Sequence, residues 1–333
     1  MPFSEFLRRL FHPAPAIKPA PFEPAPFESP CAEAPRAGFG MREHVVQCMG
    51  PRGLHDMAYT EWGDPDNRNV LLCVHGFTRN ARDFDTFAQA LSNDYRVVCP
   101  DVVGRGRSDW LRVKSDYAFP LYVSDMVTLI ARLGVSHVDW VGTSMGGLIG
   151  MLLAGQPHTP VRRLVLNDVG PLISAESLRH IGQYTGKPIV FPTMKDAEDY
   201  VRQIGASFGA LTDEQWRHLT CHSMRPVEKG YVFIYDPGLG DPFRMMPILF
   251  DVTAWNAYDR IHHPVLAVRG AESDLLRRET WQEMSKRGPR AKLLEIPGVG
   301  HAPMLMSEDQ IAPIRDFLLA SGEETRSGLH QAS

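Results

Sequence analysis

Apolar and polar positions between residues 45 and 171 follow two alternating patterns. Short strand-like runs are found at His55–Trp62, Asn69–Val74, Tyr95–Cys99, His137–Val141 and Arg163–Leu166. Stretches with helical periodicity lie between them, at Ala81–Leu91, Leu121–Leu133 and Leu148–Ala154. Strands that alternate with helices in this way predict an α/β fold, in which helices cover both faces of a mainly parallel sheet.

The alternation stops after Pro171 and resumes near residue 264. Residues 172–250 carry helix signals instead, including a capping box that begins at Thr212 and a weaker helix start at Thr193. Strand-like runs return at Pro264–Val268 and Lys292–Ile296. We therefore predict a core of residues 41–171 and 251–322, with a helical cap or lid of residues 172–250 inserted in it.

The two ends of the chain have a different composition from the core. Residues 1–40 hold nine prolines and the sequence PAPFE twice, which predicts a disordered or polyproline-like arm. Five apolar residues at its start share one helical face, and they favour a weak contact with a hydrophobic surface: Phe3, Phe6, Leu7, Leu10 and Phe11. The alternative is that so short a helix is marginal by itself. Residues 323–333 are predicted to form a flexible tail.

Composition narrows the functional classes. The 333 residues are 44% apolar and 22% charged, which is typical of a soluble globular protein. The formal net charge of −4 gives no electrostatic reason to expect nucleic acid as a partner. The five cysteines include no C-x-x-C pair, which argues against a disulfide framework and a zinc site. Without a long apolar span or a signal peptide, we expect a reduced, cytoplasmic location.

Ser144 is the candidate nucleophile. It lies in the segment VGTSMGG, between a predicted strand and a predicted helix, in the pattern G-x-S-x-G. Gly142 and Gly146 give the turn conformational freedom and space where strand and helix meet. The helix start would present free amides and a positive dipole end to a developing oxyanion. The alternative is an ordinary glycine-bounded turn without chemistry.

A serine nucleophile needs a base, and the base needs an orienting carboxylate. His301 is the candidate base, because it follows the last predicted strand in the glycine-rich loop PGVGHAP. Asp274 is the preferred carboxylate: it follows the strand Pro264–Val268 and gives the chain order serine, aspartate, histidine. Glu272 and Asp168 are rivals, and for Asp168 the alternative is a helix or turn cap.

The oxyanion and the substrate need further groups. The backbone N–H groups of Phe77 and Met145 are predicted to form the oxyanion hole, with His75 bracing the turn. In the cap, His222 and Arg225 are candidate substrate-binding residues, and His218 and Arg244 are further groups that could hold a carboxylate. Apolar cap residues would suit an apolar acyl group or would pack the cap onto the sheet: Phe191, Phe208, Leu211, Met224, Phe233, Tyr235, Met245 and Met246.

The segments VHGFTRN, PDVVGRGRSD, GTSMGG, LVLNDVGP, RGAESDLL and GVGHAP together resemble the motifs of the α/β-hydrolase fold superfamily, in the group with a helical cap. The resemblance covers about residues 45–320. It implies an eight-stranded sheet with an early antiparallel strand. The serine at position 144 argues against the haloalkane dehalogenase and epoxide hydrolase branches, which use aspartate there.

The expected reaction is hydrolysis of a small-molecule carboxylic ester with a small or medium apolar acyl group, through an acyl-enzyme on Ser144. This chemistry requires no cofactor and no metal. Four alternatives stay open: hydrolysis of hydroxyacid oligomers, carbon–carbon bond hydrolysis of a dienoate ring-fission product, perhydrolase activity, and a non-catalytic ligand-binding fold. The sequence leaves the oligomeric state open.

Overall fold

The computed structural model describes residues 40–245 and 248–320. The predicted arm, apart from its last residue, and the predicted tail therefore lie outside the described residues, and so does Met246. Within the described ranges, no helix combines the length and the apolar composition that crossing a membrane requires.

The described residues form twelve strands: β1 (Arg42–Gly50), β2 (Gly53–Trp62), β3 (Val70–Val74), β4 (Arg96–Pro100), β5 (Val138–Thr143), β6 (Val161–Asn167), β7 (Leu172–Ile173), β8 (Met224–Val227), β9 (Gly230–Phe233), β10 (Val252–Thr253), β11 (Val265–Gly270) and β12 (Lys292–Ile296). The α-helices are α1 (Asp85–Leu91), α2 (Phe119–Leu133), α3 (Met145–Ala154), α4 (Ala175–Tyr184), α5 (Met194–Ile204), α6 (Asp213–Ser223), α7 (Asp241–Met245), α8 (Trp255–Tyr258), α9 (Arg278–Met284) and α10 (Glu308–Leu319).

Eight strands form one sheet in the order β1-β2-β4-β3-β5-β6-β11-β12. The strands from β4 to β12 in this order are parallel to one another, whereas β2 is antiparallel to both β1 and β4. The predicted α/β fold and the early antiparallel strand are thus confirmed. The sequence analysis missed β1, because Val45 and Met49 are 56% and 65% exposed on one face while Cys48 is buried on the other. Apolar residues on both faces hide the alternation that marks a strand.

Both faces of the sheet are covered. In β3, Leu71 and Cys73 belong to one buried cluster, whereas Val70, Leu72 and Val74 belong to another. Successive side chains of a strand point to opposite faces, so the two clusters are the two hydrophobic layers on either side of the sheet. Continuous apolar strands of this kind are typical of parallel sheets that are buried on both sides.

Between β6 and β11 the chain leaves the sheet and forms the inserted segment, residues 172–253, described here apart from 246 and 247. It contains the helices α4 to α7 and the hairpin of β8 and β9, and β7 pairs with β10 where it joins the core. The capping box predicted at Thr212 is present, and the weaker helix start predicted at Thr193 also carries a capping box. A third apolar cluster includes Met304 and Met306 of the core, so the segment packs beside the His301 loop.

Three of the described cysteines, Cys48, Cys73 and Cys99, are buried free thiols. Cys221 is disulfide-bonded, which the scattered cysteine positions do not indicate. Scattered cysteines carry no pairing signal in a sequence, because pairing depends on which elements the fold brings together.

Candidate active site

Ser144 occupies a strained turn between β5 and α3. Its φ of 51° and ψ of −115° are unfavourable for a residue with a Cβ atom. A Cβ atom on Gly146 would lie 2.0 Å from the carbonyl oxygen of Val74, and one on Gly142 would lie 2.4 Å from the backbone of Gly146. Only glycine fits at these two positions. The turn therefore holds the serine hydroxyl at the carboxyl edge of the sheet, as the sequence pattern predicts.

His301 is the partner of this hydroxyl. Its Nε2 lies 3.1 Å from Ser144 Oγ. The loop that carries the ring is fixed by the inserted segment, because Ser207 Oγ donates to the carbonyl of His301 at 2.7 Å and the N–H of Gly300 donates to the carbonyl of Ser207 at 2.7 Å. The imidazole is therefore positioned by the inserted segment as well as by the core that carries it.

The carboxylate at the other side of the ring belongs to Asp168. Its Oδ2 lies 2.7 Å from His301 Nδ1, and the side chain is fully buried. Ser273 Oγ donates to Oδ2 at 2.6 Å, and the N–H of Gly270 donates to Oδ1 at 2.8 Å. Because the carboxylate accepts a hydrogen bond from the Nδ1–H group, Nε2 on the opposite side of the ring is unprotonated and can accept the proton of Ser144.

This arrangement corrects the prediction for Asp274. Its side chain is exposed, as is that of Glu272, and its carbonyl accepts a hydrogen bond from Ser177 Oγ at 3.1 Å. The reason lies in the strand order: β6 is the immediate neighbour of β5, so the residue after β6 is closer to the nucleophile than a residue after β11. Asp168 takes this place with a φ of 54°, which aspartate tolerates better than most residues.

The two residues predicted to donate to an oxyanion lie on either side of Ser144 in the structure, one in the loop after β3 and one at the start of α3. Phe77 lies in the loop, and Met145 begins α3 directly after Ser144. Within the described parts of the chain, neither backbone N–H donates a hydrogen bond to another group. His75 braces the loop as predicted: the N–H of Val102 donates to its Nε2 at 2.9 Å, and its Nδ1 donates to the carbonyl of Gly76 at 2.7 Å.

The bracing role of His75 makes stability sensitive to acid. Burial lowers its pKa from 6.5 to about 3, and the nearby Arg105 adds to the shift. A depressed histidine pKa contributes stability above pH 6.5, and this contribution is lost as the pH falls toward 3. We expect His75 to add about 1.4 kcal/mol per pH unit to the loss of unfolding free energy below pH 6. Urea denaturation from pH 7.5 to 5 measures it, and equal pH slopes for the wild type and His75→Gln would contradict it.

Arg105 is a residue that the sequence analysis missed. Its guanidinium is fully buried, and Nε donates to the carbonyl of Phe77 at 2.8 Å while Nη2 lies 3.4 Å from the sulfur of Met145. Nη1 donates to Tyr122 Oη at 3.0 Å, and Cζ lies 5.0 Å from the centre of the Phe77 ring. One buried cation thus connects the two residues that are predicted to form the oxyanion hole. Its segment GRGRS contains two arginines, and only the fold shows which one is buried.

A cleft lies above Ser144. Phe208, Phe233 and Tyr235 of the inserted segment line it, as predicted for apolar cap residues. Phe191 and Met224 instead pack inside the inserted segment. The remaining walls contain one ion pair, between Arg79 and Asp83. Otherwise they are mostly apolar or aromatic and include Phe84, Ile181, Tyr184, Tyr200, Val201, Ile204 and Met304.

His222 and Arg225 do not line this cleft, which corrects their prediction as substrate-binding residues. His222 is buried, and Asn80 Nδ2 donates to its carbonyl at 2.8 Å. Burial, with Arg82 and His218 nearby, lowers the pKa of His222 to about 2. Arg225 stacks over Trp110, with Cζ 5.4 Å from the ring centre. Neither His218 nor Arg244 reaches the cleft: each pairs with a nearby aspartate.

Two groups of described side chains could ligate a metal ion: Cys48, His55 and Asp125, and Asp85, His218 and His222. None of these residues lines the cleft. In the second group Arg82 already pairs with Asp85, and this cation opposes a metal ion electrostatically.

Comparisons with known proteins identify the family of the chain. The sequence profile described as "Alpha/beta hydrolase family" matches residues 71–314. The 3-hydroxybutyrate-oligomer hydrolase of Cupriavidus necator is 53% identical over 292 residues, which are 85% of this chain and 98% of the relative. The 2-(acetamidomethylene)succinate hydrolase of Mesorhizobium japonicum is 25% identical over 237 residues, covering 70% and 81% of the two chains. An alpha/beta hydrolase structure from Novosphingobium aromaticivorans superposes with a TM-score of 0.74 at 32% identity, covering 84% of this chain and 98% of that one.

Proposed function

Since this chain belongs to the alpha/beta hydrolase family and is an ester-cleaving hydrolase, we propose that it hydrolyses short linear oligomers of 3-hydroxybutyrate through Ser144, His301 and Asp168. The hydrogen-bonded series from Ser144 Oγ through the His301 ring to Asp168, at the floor of a largely apolar cleft, carries the proposal. The substrate class follows from the relative that is 53% identical.

The first half of the reaction forms an acyl-enzyme. Ser144 Oγ attacks the ester carbonyl while His301 Nε2 accepts the hydroxyl proton, and Asp168 stabilises the imidazolium that results. The carbonyl oxygen becomes an oxyanion and accepts hydrogen bonds from the N–H groups of Phe77 and Met145. When the carbon–oxygen bond breaks, His301 returns the proton to the leaving hydroxyacid, which departs with a free hydroxyl group.

The second half releases the acyl group. Water attacks the ester carbonyl on Ser144, and His301 again accepts the proton. The tetrahedral intermediate collapses with protonation of Ser144 Oγ, and a carboxylic acid leaves. Each turnover therefore consumes one water molecule and produces one new carboxyl group and one new hydroxyl group.

The test uses purified protein with the linear 3-hydroxybutyrate dimer and trimer, beside p-nitrophenyl esters from acetate to decanoate. We expect release of monomer from both oligomers and a preference for the shorter nitrophenyl esters, because the repeating acyl unit is small. Nitrophenyl ester hydrolysis without oligomer cleavage would contradict the proposed substrate and leave a general carboxylesterase. Inertness toward every ester would contradict the reaction, and a dienoate ring-fission product would then be the next substrate to assay.

Two further statements stay predictions. We place the protein in the cytoplasm, which fractionation of the source cells with marker enzymes would test. We also retain the weak contact of the N-terminal arm with a hydrophobic surface. It lies outside the described residues, and sedimentation with hydrophobic particles, with and without residues 1–40, would test it.

A further inference from the structure

We propose that Arg79 binds the free carboxylate at the acid end of the linear oligomer, so that the enzyme selects substrates by this negative charge. The inference rests on the proposed function, and it adds a specificity-determining residue to the same site. Among the described residues that line the cleft, Arg79 is the one arginine or lysine.

Arg79 lies beside the nucleophile. The two residues are separated by Gly76: a Cβ atom there would lie 3.7 Å from Arg79 Cγ and 3.8 Å from Ser144 Cβ. The loop that presents the oxyanion donors also fixes the arginine backbone, because the N–H of Arg79 donates to the carbonyl of Gly76 at 3.2 Å. The cation is therefore held at a set position relative to the reacting ester.

The guanidinium is oriented before substrate arrives. Nε and Nη2 donate to the two carboxylate oxygens of Asp83 at 2.8 and 2.5 Å, and Nη1 donates to Ser223 Oγ at 3.0 Å. These contacts use three of the five N–H groups of an arginine. No contact with the described residues uses the other two, which leaves them for a ligand carboxylate, the group that a planar guanidinium binds most selectively.

Burial strengthens this recognition. The Arg79 and Asp83 side chains are 16% and 12% exposed, so water screens their charges only partly. Asp83 offsets part of the cost of burying this cation while the cleft is empty, and because Asp83 also lines the cleft, its negative charge limits the net attraction for a ligand carboxylate. A bound carboxylate would then receive charge-assisted hydrogen bonds in a cleft with otherwise mostly apolar walls.

A carboxylate site near the nucleophile predicts that cleavage occurs close to the acid end of the chain. A short oligomer has one acid end for every few ester bonds, whereas a long polymer has one acid end for a very large number of ester bonds. The structure therefore favours short free-acid oligomers over polymer and over oligomers whose acid end is blocked.

The experiment compares the 3-hydroxybutyrate dimer with the same dimer bearing a terminal primary amide, which has nearly the same shape and no charge. We expect the wild type to favour the acid by about 10- to 100-fold in kcat/KM, mainly through KM, the scale of a charged hydrogen bond. Arg79→Gln should bring the ratio close to one, and Arg79→Lys should retain part of it. The matched control is Arg82→Gln. Arg82 lies three residues further along the chain and forms a similar ion pair with Asp85, but it does not line the cleft.

Three results would overturn the inference. The first is a wild type that cleaves acid and amide equally, a result that needs no variant to fold. The second is Arg79→Gln lowering both rates in the same proportion, which would mark a structural role. The third is a wild type that hydrolyses p-nitrophenyl acetate but neither dimer, which would remove the proposed substrate as well. Only the third result removes the oligomer reaction. Failure of the proposed function can therefore be distinguished from failure of the role inferred for Arg79.

Discussion

Replacement of Ser144 by alanine is expected to lower kcat for ester hydrolysis by at least about 10³-fold and by as much as about 10⁶-fold. The alanine has no hydroxyl group, so neither the acyl-enzyme nor its hydrolysis can occur. Residual hydrolysis would come from the oxyanion donors and substrate binding alone. Initial rates with p-nitrophenyl butyrate measure the effect.

The matched control for this variant is Ser124→Ala. Ser124 is exposed on α2 and does not line the cleft, so its removal should leave kcat within twofold of the wild type. A Ser144→Ala protein that is folded by circular dichroism and retains more than a tenth of the activity would contradict the assignment of the nucleophile.

Replacement of Asp168 by asparagine is expected to lower kcat by about 10⁴-fold. The asparagine N–H₂ group would face His301 Nδ1 and favour the tautomer with the proton on Nε2, which cannot accept a proton from Ser144. Asp274→Asn is the matched comparison: the same chemical change, in an exposed side chain of the competing candidate, should leave kcat within about twofold. Steady-state kinetics on one nitrophenyl ester, for both variants, gives the answer.

Asp168 also has a structural role, and the experiment must separate the two. Its oxygens accept hydrogen bonds from Gly270 and Ser273, so the asparagine variant could lose stability as well as activity. Thermal unfolding of both variants supplies the control. A large loss of kcat in Asp274→Asn, with Asp168→Asn active, would reverse the assignment that the geometry supports.

Local sequence patterns are sufficient to predict most strands of the sheet and the turn that carries the nucleophile. The run that became β3 is apolar without interruption, and the glycines around Ser144 are demanded by contacts that any such strand–turn–helix makes. The sequence favours Asp274 over Asp168, because a sequence gives the strands in chain order whereas the active site depends on their order in space. The aspartate directly after the strand beside the nucleophile was the available signal.

The charged residue that faces the substrate is harder to identify from the sequence. Helix α6 and strand β8 carry His222 and Arg225, but the packing of the inserted segment turns one inward and stacks the other on Trp110. Such orientations depend on tertiary contacts that no local pattern encodes. Arg79 lies inside the motif VHGFTRN, and its local sequence does not distinguish it from the other arginines as a ligand-binding group.

The central claim is that Ser144 is activated by His301 and Asp168, and a fluorophosphonate probe tests it most directly. Labelling rates are followed for the wild type, Asp168→Asn and Asp274→Asn, and the labelled peptide is mapped by mass spectrometry. The account predicts modification at Ser144, at similar rates in the wild type and Asp274→Asn, and labelling at least about 100-fold slower in Asp168→Asn. A label on another residue, or equal rates in the two aspartate variants, would contradict it.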